Sequence, residues 1–109
     1  MAETYIDAQQ AKPAPTILTT LYTVPVATST IVSSLWVCNQ SGQLEYVRVS
    51  VAPGGAADAV QQYLVFDRVI FPNDTISAVA GITLATGTVV RVQSRNGNAA
   101  FSLFGVQIT

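Results

Sequence analysis

The sequence predicts an all-β domain: a single antiparallel β-sandwich, jelly-roll-like, of about eight strands, preceded by an extended N-terminal arm. Three observations carry this. Short runs rich in Val, Ile, Thr and aromatic residues recur from Ile17 onward, and the clusters PVATS, NQSGQ, PGGAADAV, PND, ATG and NGN separate them. That spacing, about ten residues, suits a sandwich or barrel rather than βαβ units. No window of eleven or more residues keeps apolar positions at helical spacing without a Gly, Pro or β-branched interruption; the nearest, AADAVQQYL, is too short to stand as a helix.

Residues 1–16, MAETYIDAQQAKPAPT, have no sustained periodicity, and their PAP step favours extended backbone, so they are read as an arm outside the domain at 17–109. Strands are expected at 17–24, 30–39, 43–52, 61–71, 74–80, 82–85, 88–95 and 99–108. In LEYVRVSVA, Val47, Val49 and Val51 share one face while Tyr46, Arg48 and Ser50 share the other, the pattern of a half-buried strand. In VVRVQS, Val90 and Val92 face the core, and Arg91 and Gln93 face out. Asn96-Gly97 in SRNGNAA is the signature of a type I′ turn and predicts a hairpin between the last two runs. Phe101 and Leu103 share a face that Val106 and Ile108 leave by one residue, so a bulge at Phe104-Gly105 is expected to return all four to the core.

At 109 residues the chain holds one domain with one core. Charged residues are 10% of it against about 25% in typical proteins, and the polar remainder is neutral: twenty Ser and Thr, eight Gln and four Asn. Five scattered basic residues and a net charge of −1 give no stripe to match a row of phosphates, so nucleic acid is not an expected partner. No apolar run approaches the roughly 18 residues of a membrane span, so no membrane partner is expected either. The N-terminus has neither a basic n-region nor an apolar h-region, and Cys38 is the lone cysteine, so the expectation is synthesis in the cytoplasm without a disulfide framework.

The chain has no histidine, which removes Cys-His and Ser-His-Asp nucleophile systems and most zinc sites. Cys38, between Val37 and Asn39, reads as a small core or interface residue. The six acids, Glu3, Asp7, Glu45, Asp58, Asp67 and Asp74, form no local pair, and Asp74 suits a turn role in PND. Neither PGG nor NGN has the lysine or spacing of a phosphate loop. The expectation is therefore no catalytic residue, no metal site and no cofactor. Trp36, Tyr46 and Tyr63 are candidates for a sugar-binding platform, weighed against the commoner role of aromatic residues as core or interface filling.

Two runs refuse to alternate. SSLWVCN carries Leu35 and Val37 against Trp36 and Cys38; YLVFDRVIF carries Leu64, Phe66 and Ile70 against Tyr63, Val65 and Val69. The outer face of such strands needs a cover, which another layer, the N-terminal arm, the 53–61 loop or a second subunit could supply; the expectation is a second subunit, with Trp36, Tyr63, Val65 and Val69 as its contact residues.

Leu21–Thr109 resembles a group of small proteins of tailed bacteriophages. The resemblance is carried by LYTVP (21–25), IVSSLWVCNQSG (31–42), VRVSVAPGGA (47–56), YLVFD (63–67), PNDT (72–75), GITLATGTVVRV (81–92) and the closing FSLFGVQIT. It implies a non-enzymatic virion structural protein with a β-sandwich fold, localised to the virion. The implied partners are itself, as a symmetric homo-oligomer such as a trimer, and other virion proteins of the capsid, where it would act as a decoration or cement protein, or of the neck or tail. The alternative expectation is a carbohydrate-binding sandwich module of a phage adhesion apparatus.

Overall fold

The computed structural model describes residues 2–109, the side chain of Asp7 excepted. Among them are eight strands: β1 (Glu3–Ala11), β2 (Thr19–Thr23), β3 (Ser29–Asn39), β4 (Glu45–Ala52), β5 (Tyr63–Ile70), β6 (Thr75–Leu84), β7 (Val89–Ser94) and β8 (Ala99–Ile108). They form two four-stranded sheets in the orders β1-β8-β3-β6 and β2-β7-β4-β5, with every pair antiparallel. Only β4 and β5 are consecutive in the chain and share a sheet; their connection contains the short 3-10 turns Pro53–Gly55 and Val60–Gln62.

The core lies between the sheets and follows the alternation of β-branched residues. Val32, Leu35 and Val37 of β3, with Phe101 and Leu103 of β8, meet Val47 and Val49 of β4 and Val90 and Val92 of β7. Burial of such side chains contributes about 1.5–3 kcal/mol each. Val51 shares their parity but is half-buried near the end of β4.

Residues 3–11 do not form a free arm. They are β1, paired with β8 from Glu3↔Ile108 to Ala11↔Phe101, and Ile6 and Ala11 pack on the core. An edge strand with one neighbour needs only these few apolar residues, which is why its sequence shows no periodic face.

Asn96-Gly97 does not close a hairpin. It links β7 in the second sheet to β8 in the first, and of its two residues only Gly97 takes a positive φ, 75°. A type I′ turn would return the chain to a neighbouring strand, whereas here the chain turns a corner over the end of the sandwich. Glu45 organises that corner. This fully buried carboxylate accepts the N–H of Asn96 at 3.0 Å and that of Asn98 at 3.1 Å, while Gly97 N–H donates to the Ser94 hydroxyl at 3.1 Å. A Cβ on Gly97 would lie 2.8 Å from Pro15 Cδ, so the same glycine also admits the segment leading into β2.

The expected bulge falls opposite its predicted position. The extra residue is in β3, between Val32↔Gly105 and Ser34↔Phe104, and β1 shifts register beside the same glycine, between Ile6 and Gln9. Gly105 is buried, and a Cβ there would collide with the Ile31 carbonyl on the neighbouring strand. Val106 and Ile108 consequently stay half-buried, opposite Ile31 and Ser29. The runs expected at 74–80 and 82–85 are one strand, β6, which Gly81 carries through with a φ of 68°.

Candidate functional site

The outer face of the first sheet is built by cross-strand register. Trp36 of β3 lies opposite Ser102 of β8 and Ser77 of β6, Ser34 lies opposite Phe104, and Ile31 lies opposite Val106. Trp36 is 43% exposed, and its indole N–H donates to the Ser34 hydroxyl at 3.1 Å, so the ring turned to solvent has spent its polar handle locally. Cys38, half-buried, sits on the same side of β3 as Trp36. A shallow groove of about 500 Å³ runs here, lined by Gln10, Trp36, Cys38, Ala100, Ser102 and Phe104 among others, and no lining residue is charged. Across the paired outward positions of β1, β8, β3 and β6 the one charged residue is Glu3.

The outer face of the second sheet is different in kind. Tyr46 and Arg48 of β4 lie beside Gln93 of β7, with the last residues of β5 on the other side. Arg48 makes a bidentate ion pair with Asp67, Nε to Oδ1 at 2.7 Å and Nη2 to Oδ2 at 3.0 Å, and its guanidinium lies 4.1 Å from the centre of the Phe66 ring. Asp67 reaches this position from a bulge in β5, where its own φ is 53°. Arg95 stacks on Tyr46 at 3.8 Å. The hydrogen bonds from Arg48 hold the Asp67 carboxyl below its ordinary range, with the charge of Arg95 adding to the effect, and the same hydrogen bonds raise Arg48. Tyr63 is raised first by loss of water around its hydroxyl and then by its 3.0 Å bond to Asp58. A small cleft of about 110 Å³ opens between Thr16, Tyr46, Arg48, Asp67, Gln93 and Arg95.

The four expected contact residues do not share one surface. Trp36 lies on the first sheet's outer face; Tyr63 and Val69 lie on β5, an edge of the second sheet, with Val69 paired to Tyr46. Val65 is 8% exposed and belongs to the core, paired with Val49, so the continuous apolar run of β5 does not mean two open apolar faces. Two extra residues in β5 relative to β4 break its alternation and turn Leu64 and Phe66 to solvent. The aromatic candidates are divided as well, with Trp36 on one sheet and Tyr46 and Tyr63 on the other. Asp74 serves its turn, accepting the Thr75 N–H at 2.9 Å. Sequence reasoning did not find Phe104 and Ile31 as companions of Trp36, nor the Arg48–Asp67 pair. The outward parity of Arg48, Arg91 and Gln93 was the available signal for the second cluster.

Among the described residues no group of three or more His, Cys, Asp or Glu side chains is placed to hold a metal ion, and no helix is long and apolar enough to cross a membrane. Comparison with protein-family models, with curated proteins and with solved structures gives no match.

Proposed function

We propose that the chain is a non-enzymatic virion structural protein of a tailed bacteriophage, a jelly-roll sandwich that assembles as a symmetric homo-oligomer and seats on capsid, neck or tail proteins. The strand orders β1-β8-β3-β6 and β2-β7-β4-β5, with successive strands mostly in opposite sheets, support the jelly-roll reading. The observation that carries the assembly reading is the outer face of the first sheet. Trp36, Phe104, Ile31, Val106 and Ile108 lie there with hydroxyl-bearing and small neighbours and almost no charge.

The occupant of that face is a second copy of the chain. Four strands about 4.8 Å apart and about 30 Å long offer roughly 600 Å² of face, the order of the ~800 Å² per partner in a stable dimer. Among the paired outward positions of this face Glu3 is the one carboxylate, so contact with a second copy costs little electrostatically. The test is mass by light scattering for the native chain and for the double variant Trp36→Glu/Phe104→Glu. Dissociation of a native oligomer into folded monomers supports the reading. A native monomer at tens of micromolar, or an oligomer that the variant leaves intact, rejects it.

A further inference from the structure

We infer that the outer face of the second sheet holds a site for a carboxylated sugar, a uronic-acid-type ligand, in the cleft between Arg48 and Arg95. This does not rest on the assembly reading, which concerns the opposite face of the sandwich.

The distribution of charge is the first observation. Of the five Lys and Arg residues in the chain, Arg48 and Arg95 line this one cleft of about 110 Å³, while the paired outward positions of the other sheet carry no cation. A chain so poor in charge gathers two guanidiniums around a single carboxylate, Asp67. That leaves the cleft with one excess positive charge: two from the arginines less one from the aspartate.

The two arginines are in different states. Arg48 is committed to Asp67 through Nε and Nη2, and this pair forms a fixed wall against Phe66. The Arg95 guanidinium is held over the Tyr46 ring, and among the described residues no side-chain hydrogen bond engages it. Its donors are therefore oriented and unspent, the arrangement that receives a planar two-oxygen anion. A monoanion balances the excess charge, whereas a phosphate dianion would leave surplus negative charge beside Asp67. The volume suits a carboxylate and a few adjoining atoms.

The rim selects what carries the carboxylate. Gln93 Nε2 donates to the Thr16 carbonyl at 3.3 Å, and Thr16, at a φ of 61° that β-branched residues rarely adopt, is fixed by its N–H bond to Ser94 O at 2.9 Å. The Thr16 hydroxyl donates to the Pro15 carbonyl at 2.6 Å, so the neutral groups this rim turns to sugar hydroxyls are the Gln93 amide oxygen and its second N–H, with the Thr16 hydroxyl oxygen as a further acceptor.

The test is titration of ¹⁵N-labelled chain with sodium glucuronate at fixed pH and ionic strength, with glucose and sodium acetate as parallel ligands. The expected result is a saturable set of shifts confined to the amides of residues 46, 48, 67 and 93–96 and the Arg95 Nε–H. Glucose should give none, and acetate should bind more weakly. Arg95→Gln should weaken glucuronate binding about tenfold or more, the loss expected for one charge-assisted contact, while Arg68→Gln should leave it unchanged. Absence of saturable shifts, equal binding of glucose, or undiminished binding by Arg95→Gln overturns the site. Acetate binding as tightly as glucuronate overturns the sugar as its ligand.

Discussion

Replacing Glu45 by alanine tests how the end of the sandwich is held. The carboxylate is fully buried and is the acceptor for three backbone N–H groups: Tyr46 at 2.9 Å and Asn96 at 3.0 Å through Oε1, and Asn98 at 3.1 Å through Oε2. Leaving a buried donor without a partner costs about 1–3 kcal/mol, so three such losses, eased by water entering the corner, are expected to total about 3–5 kcal/mol. For a chain of this length that lowers Tm by roughly 12–20 °C. Glu45→Gln keeps one acceptor oxygen but sets an amide NH₂ against the Asn98 N–H; its cost should be about 1.5–3 kcal/mol, the value of one charge-assisted bond. Urea unfolding followed by circular dichroism gives both differences, and hydrogen exchange at the Asn96 and Asn98 amides reports the corner itself. Glu45→Ala within 1 kcal/mol of the native chain, with both amides still protected, would refute the reasoning.

Further outcomes follow from other positions. Gly105→Ala must push its Cβ against the Ile31 carbonyl, and denaturant unfolding should show a loss of about 3 kcal/mol. Deleting residues 2–11 strips β1 from β8, uncovers the core beside Ile6 and Ala11 and leaves β8 as an open edge; a loss of about 2–4 kcal/mol and salt-dependent aggregation are expected on heating. Asp67 has a folded-state pKa below its unfolded value, so its pair with Arg48 contributes stability above the ordinary carboxylate range and loses it as pH falls through the lowered value. Both partners are about a third exposed, so the difference between native chain and Asp67→Asn should be under about 1 kcal/mol at pH 7 and shrink below about pH 4.

Alternation made the interior legible. Val47, Val49, Val90, Val92, Phe101 and Leu103 were readable as core because each sits in a run of period two, and the structure buries all six. Sheet membership was not readable. Asn96-Gly97 announces a tight turn, but whether the chain then pairs with its neighbour or crosses to the other sheet depends on Glu45, fifty-one residues from Asn96, and on Pro15 packed against Gly97. β1 was hidden for a related reason, since its pairing energy is supplied by β8 at the far end of the chain. At the candidate sites the sequence exposed single members: Trp36 through the doubly apolar run, Arg48 through its outward parity. Their companions come from register. Phe104 joins the face of Trp36 because Ser34 lies opposite it, and Asp67 reaches Arg48 only through a bulge with a left-handed aspartate.

The lone cysteine reports directly on the proposed contact, because Cys38 shares the groove of the first sheet's outer face with Trp36 and Phe104. The measurement is the rate of Cys38 modification by a thiol reagent as protein concentration is varied, with Trp36→Glu/Phe104→Glu as the dissociated reference. Slow modification at concentrations where the native chain is oligomeric, rising on dilution to the rate of the reference, is the predicted result. Modification of the native oligomer as fast as of the reference would contradict the account, since the face assigned to the second copy would then be open to solvent.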